Sequence, residues 1–224
     1  MRMNVHFHEV SMSLAQAPSS RRASDADRHD VIVAAAERAF VRHGFHAATM
    51  QQVADEAGMS AGNLYRYFPS KEAIVEGICA RDQRERAAVF ATLVGGEGVL
   101  ATLAAMLRDH LLAKPREKAI MIVEITAEAA RNPRIAAMTL AIDADVLSGL
   151  VMLVEAAKAK GEAAASLEAE FAARVIFTLV SGLFKRRALE PDFDCEAEAA
   201  MAAGVLRALF AGAIAPFPSL AGSR

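Results

Sequence analysis

The chain has 224 residues, 54% of them hydrophobic, and a net charge of −2. That is ample apolar material for a packed core, and the mixed-sign charged residues, 23% of the total, exclude a disordered body. A net charge so close to zero carries no global signature of a nucleic-acid partner, although a local basic surface remains open.

Residues 1–24 read as a disordered leader. "MRMNVHFHEVSMSLAQAPSSRR" has no continuous apolar segment of the kind a secretory signal needs. His6 and His8 alone do not make a metal-ligand set. Helical periodicity starts next. Ile32, Ala35, Ala36, Ala39 and Phe40 recur at helical spacing and mark one apolar face. Ser24 is placed to cap this helix and Gly44 to end it.

Two short helices follow. Thr49 with Gln52 three residues later fits a capping box, and "MQQVADEA" runs to a sharp turn at Gly58. Ser60 then caps "AGNLYRYF", which Pro69 ends. Val53, Ala54, Ala57, Met59 and Leu64 supply an apolar contact between the two helices, the pattern of a helix-turn-helix over residues 49–68. With Leu64 inward, Ala61, Gly62, Tyr65 and Arg66 point outward. Small residues at the start of the second helix let its backbone approach base edges. Thr49, Ser60, Lys71 and the hydroxyls of Tyr65 and Tyr67 suit phosphate oxygens, and Asn63 or Arg66 suits a base edge. Phe68 reads as core.

Ser70 opens a longer helix to about Leu93. After the glycine-rich loop at Gly95–Gly98, further helices are expected at about 99–113, 116–130, 133–160, 167–189 and 194–212. Pro115, Asn132-Pro133, Gly161 and Pro191 mark the breaks. The expected fold is therefore all-α, with about nine helices. No alternation argues for a strand, and no run reads as a membrane span of about 20 apolar residues. Cys79 and Cys195 are far apart and read as ordinary reduced thiols in a cytoplasmic protein. No nucleophile stands with a base in a known motif, so an enzyme is disfavoured and no cofactor is expected.

The last two helices carry stripes of small and apolar residues. Val175, Leu179, Gly182 and Leu183 lie on one, and Ala197, Met201, Gly204, Val205 and Ala208 on the other. Paired across a twofold axis, they suit an isologous four-helix interface of a homodimer. A pocket for a small apolar or amphipathic organic molecule draws on polar interruptions and soft walls in the same half. Its candidates are Met106, His110, Met121, Glu124, Met138, Met152, Phe171, Arg174, Phe177 and Thr178.

"AAAERAFVRHGFHAATMQQVADEAGMSAGNLYRYFPSKEAI" resembles the DNA-binding domain of the tetracycline-repressor (TetR) family of bacterial regulators. Ala36, Phe40, Gly44, Phe45 and Thr49 fall in register with it, as does "VA..AG.S.G.LY.YF.SKE" from Val53 to Glu72. The likeness spans about residues 28–80, and the C-terminal half resembles the betaine-regulator type of ligand domain. The resemblance implies a leader (1–24), a DNA-binding domain (25–72) and a ligand-binding and dimerisation domain (73–224). It implies a homodimer that binds a palindromic double-stranded operator and releases it when a small molecule enters the bundle. It further implies that Thr49, Ser60, Tyr65, Tyr67 and Lys71 meet phosphates while Ala61, Gly62 and Asn63 lie near bases. Ala61 departs from the lysine, threonine or proline of many relatives, which shifts the expected readout toward Asn63, Arg66 and DNA shape. Arg21, Arg22 and Arg28 are candidates for further DNA contacts. The alternative is a relative that binds DNA without a small ligand, as an activator or chromosome organiser.

Overall fold

The structure is a computed structural model that describes residues 25–95, 98–113 and 115–216. The expected leader, with Arg21, Arg22 and the Ser24 cap, lies outside the described residues. Among those residues there are nine α-helices and no strand. They are α1 (Asp25–His43), α2 (Met50–Glu56), α3 (Ala61–Tyr67), α4 (Lys71–Gly95), α5 (Val99–Ala113), α6 (Arg116–Ala129), α7 (Pro133–Ala159), α8 (Ala169–Leu189) and α9 (Cys195–Phe210). The boundaries follow the sequence signals to within a residue or two, the usual fraying of helix ends.

Local chemistry explains those boundaries. Gly44 and Gly58 adopt φ of +76° and +65°, which a side chain would make costly, so the chain turns there. At α2 the Thr49 hydroxyl accepts from the Gln52 N–H while the Gln52 side chain accepts from the Thr49 N–H. Asn132 caps α7 with Pro133 at the first helical position, where its missing N–H costs nothing. Asp194 caps α9 through the N–H groups of Glu196 and Ala197.

Two apolar cores are built from these helices. The N-terminal core gathers Ile32, Ala36, Phe40, Phe45, Val53, Ala54, Leu64 and Phe68. It also takes Ile74, Val75 and Ile78 from α4, Met121 from α6 and Ile135 from α7. The C-terminal core gathers Leu107, Leu111, Leu153, Val154, Ile176, Leu183, Leu206 and Phe210. The helix α4 serves both, because Phe90 near its far end packs against the second core. The division at residue 72 therefore lies at the first turn of a helix that the two cores share.

Helices α4 and α7 run side by side in the same direction. Arg134 pairs with Glu76 at their N-terminal ends, Arg86 approaches Asp145 midway, and Phe90 lies on Gly149 beyond. A methyl group at position 149 would stand 2.5 Å from the Phe90 ring, so this close crossing needs glycine. Between the two cores Glu37 of α1 binds both Arg81 of α4 (2.7 Å) and Lys118 of α6 (3.0 Å).

One described helix, α7, is long and apolar enough by length and composition to cross a membrane, with a mean hydropathy of 1.8 over its most apolar window. This corrects the expectation that no such run exists. Its C-terminal half is built into the bundle through Gly149, Leu150, Leu153, Val154 and Ala157. Both cysteines are free and half-buried, and burial pushes the Cys79 thiol up to about 11.

Candidate nucleic-acid interface

The helices α2 and α3 meet through Val53, Ala54 and Leu64, all inside the N-terminal core. That packing fixes which face of α3 looks outward. Tyr65 is 51% exposed, and Gly62 and Arg66 are exposed beside it. Asn63 is half-buried on the flank, and Ala61, expected to point outward, is half-buried against the N-terminal core. A Cβ at position 62 would meet nothing within 4 Å, so the backbone is bare at Gly62. Tyr67 is half-buried against the core, and the Arg66 guanidinium lies 5.3 Å from its ring centre. Phe68 is buried, as expected, with the His29 ring tilted against it and 4.2 Å between ring centres.

Three helix starts flank this face. Ser60 Oγ accepts from the Asn63 N–H at 3.3 Å, and Ser70 Oγ from the Ala73 N–H at 3.3 Å. Thr49 is exposed with its hydroxyl in the capping box, so it and Ser60 both hold helix ends. Beside Ser70, the Glu72 carboxyl is held below its ordinary value mainly by the Ser70 hydroxyl.

Lys71 has a second role that the sequence did not reveal. Its ammonium donates to the carbonyls of Phe45 (3.0 Å) and His46 (2.9 Å) and lies 5.1 Å from the Phe45 ring centre. Two of its three hydrogens thus hold the turn between α1 and α2, and one remains for another acceptor. Glu56 escaped the sequence reading altogether. It closes α2 onto α1 by accepting from Arg38 (2.8 Å) and Arg42 (2.6 Å). The hydrogen bond from Arg38, with help from Arg42, lowers its pKa below the ordinary 4.5. A pair 14 and 18 residues apart leaves no helical-spacing signal in the sequence.

The pocket candidates do not converge. Met121 and Met138 pack in the N-terminal core. Met106, Phe171 and Phe177 pack against the C-terminal one. Met152 is 58% exposed, and Arg174 and Thr178 are also exposed on the outside of the bundle. The His110 side chain lies outside the described residues. Glu124 faces the turn between α1 and α2, where it accepts the Phe45 N–H. Apolar lining and ordinary core look alike in sequence, and that ambiguity spread the candidates over both units.

The interface candidates divide more cleanly. Ala197, Met201 and Gly204 lie exposed along α9, Met201 at 43%, and nothing stands within 4 Å of a side chain built at 182 or 204. Val205, Ala208 and Gly182 are half-buried, and Val175 and Leu179 are half-buried against the chain's own core. Leu183 corrects the expectation: at 2% exposure it is spent within the chain and has nothing left for a partner.

Comparison with known proteins agrees with this geometry. Residues 32–78 match the family described as "Bacterial regulatory proteins, tetR family". Residues 96–211, more than half of the chain, match "BetI-type transcriptional repressor, C-terminal". The chain is 29% identical over 184 residues to the HTH-type transcriptional regulator UidR of Escherichia coli, covering 81% of this chain and 90% of that protein. It is 28% identical over 173 residues to the HTH-type transcriptional regulator TtgR of Pseudomonas putida, covering 72% and 80%. The solved structure of Salmonella enterica GusR superposes with a TM-score of 0.68 at 29% identity, covering 82% of this chain and 95% of that one. With its helix-turn-helix facing outward and both halves accounted for, this chain belongs to the TetR family and is a DNA-binding transcriptional regulator.

Proposed function

We propose that the chain acts in the cytoplasm as a homodimeric repressor of a palindromic operator, and that a small apolar or amphipathic molecule releases it. The single observation that carries this reading is the unpartnered outward face of α3, with Tyr65 exposed and the backbone bare at Gly62. Ala61, Gly62 and Asn63 would lie at base edges in the major groove, with Arg66 beside them. Thr49, Ser60, Tyr65, Tyr67 and the remaining hydrogen of Lys71 would hold phosphates. Two copies joined through α8 and α9 would place two such faces in successive grooves, because Met201 and Gly204 offer a bare apolar surface.

The effector arm is supported by kinship. A regulator of the same fold, FadR of Bacillus subtilis, was solved in complex with stearoyl-CoA (TM-score 0.69, 19% identity). An effector acts only through a difference in affinity between two arrangements of the bundle. The helix α4 is placed to carry that difference, since both cores grip it.

Selection of bound duplexes from a random library, followed by sedimentation of the complex, tests the DNA arm. An inverted repeat holding two chains is the expected result. A single half-site holding one chain overturns the dimer, and no enrichment overturns the α3 interface. A melting screen with fatty acids, acyl-CoA thioesters and aromatic amphiphiles tests the effector arm. A compound that raises the midpoint should weaken duplex binding by the same coupling.

A further inference from the structure

The turn Gly44–His46 joins α1 to the helix-turn-helix, and it is gripped from both sides. Gly44 at φ +76° carries the chain out of α1, so the Phe45 N–H leaves the helical ladder and needs a new acceptor. Glu124 of α6 supplies it through Oε2. On the other side Lys71 takes the carbonyls of Phe45 and His46. The ring of Phe45 is buried against Phe40, with 5.2 Å between ring centres. A side chain at position 44 would stand 3.2 Å from Glu124 Oε1, so the carboxylate sits directly on the turn.

The two grips differ in what they can fix. Lys71 opens α4 right after α3, just before the Ala73 and Ile74 that α4 gives to the N-terminal core. Glu124 belongs to α6, about 80 residues away, in the region that matches the C-terminal family. A second α6 contact, Lys118 to Glu37, lies two turns earlier and holds the middle of α1. Together they tie α6 to the middle of α1 and to the turn that leads from it into the helix-turn-helix. A charge-assisted hydrogen bond is short, directional and about twice as strong as a neutral one. It therefore fixes orientation where apolar packing allows slippage.

We propose that Glu124 is a positioning residue that fixes the N-terminal head on the bundle and so sets the half-site spacing the regulator accepts. This rests on the dimeric reading above. In a dimer the distance between the two α3 helices is set by how each head sits on its bundle, not by the head alone. Loosening the Glu124 contact should leave each head able to bind DNA while widening the range of spacings tolerated.

The test uses the full chain, Glu124→Ala, Glu124→Gln, and duplexes carrying the selected inverted repeat with zero or one base pair inserted at its centre. Wild type should discriminate strongly between them. Glu124→Ala should lose about tenfold of that discrimination, the size of one lost hydrogen bond to a charged group. Glu124→Gln, which keeps an oxygen acceptor, should recover part of it. The slope of affinity against salt should not change, since no phosphate contact is removed. Amide exchange at Phe45 should speed up in Glu124→Ala. A purely structural role predicts a lowered melting midpoint with discrimination intact, and that result overturns the proposal. So does a Phe45 amide as protected in Glu124→Ala as in wild type. A wild type indifferent to spacing breaks the dimeric reading instead. Phe45 exchange then decides, and an unchanged rate in Glu124→Ala again overturns the clamp.

Discussion

The N-terminal head and the C-terminal bundle contain similar helices but spend their residues differently. In the head, polar side chains around the helix-turn-helix hold backbone. Thr49 and Ser60 cap helices, Lys71 ties a turn, and Glu56 clips α2 to α1. In the bundle, apolar side chains fill a core and the outward stripe of α9 is left bare. A surface that must meet a rigid polymer in one register needs a fixed backbone, and polar groups fix backbone. A surface that meets its own copy, or a small organic molecule, needs area and adaptability instead.

The sharpest way to break this comparison is to ask whether the two regions are separable. Because α6 and α7 contribute Met121 and Ile135 to the head's core, the head should not unfold alone. Phe40→Ala in the head should cost about 3–5 kcal/mol, and Leu206→Ala in the bundle about 2–5 kcal/mol. Calorimetry should show one transition for each, lowered by comparable amounts. A low-temperature transition for Phe40→Ala with the bundle still folded would make the two cores independent units.

Next in size is a charge on the bare stripe of α9. A Cβ at position 204 would meet nothing within 4 Å, so Gly204→Glu should leave the monomer folded. In a dimer the carboxylate would be buried without a partner, at a cost of several kcal/mol. Sedimentation should show a folded monomer with weakened duplex binding. Leu183→Glu, which looked equivalent in sequence, should instead abolish folding, since Leu183 is core. An unchanged dimer for Gly204→Glu would move the interface elsewhere.

The same contrast explains what could be read before the fold was known. The head was legible down to single residues because turns and caps demand particular chemistry. Gly58 needs its positive φ, and Thr49 with Gln52 makes a reciprocal cap. The nine helices were legible because Pro and Gly punctuate them. The pocket was not legible, because a methionine facing a cavity and one facing a core obey the same periodicity. Met121 and Met138 pack with the N-terminal core, while Met106 packs with the C-terminal one. Nor were contacts across long separations legible: nothing near Glu124 in the sequence points to Phe45, and nothing near Glu37 points to Lys118.

A smaller effect tests whether α3 faces DNA as its exposure suggests. Tyr65→Phe removes one hydroxyl from a half-exposed ring. Melting should be unchanged. Duplex affinity should fall by about 0.5–1.5 kcal/mol per subunit if the hydroxyl bonds a phosphate. Equal losses on the selected duplex and on random duplex would assign it to the backbone, whereas a loss on the selected duplex alone would assign it to a base. No loss on either would remove Tyr65 from the interface.

The smallest expected effect is on pH dependence, and it separates the two regions once more. Glu56 in the head has a lowered pKa, chiefly through the hydrogen bond from Arg38, and Glu190 at the end of α8 has a lowered pKa, chiefly through that from Arg186. A carboxyl whose pKa is lower in the folded chain stabilises it above the unfolded value, and that contribution fades as pH falls through the folded value. Each clip should therefore be complete at neutral pH and lost in acid, below the ordinary carboxylate value of 4.5. Glu56→Gln and Glu190→Gln should each lower the melting midpoint slightly at pH 7, and the gap from wild type should close as the buffer is acidified. Only Glu56→Gln should also weaken duplex binding at pH 7, because it alone frees α2 from α1 beside the helix-turn-helix. Equal DNA losses from both would mean that the far end of the bundle controls the head as strongly as the head's own clip does.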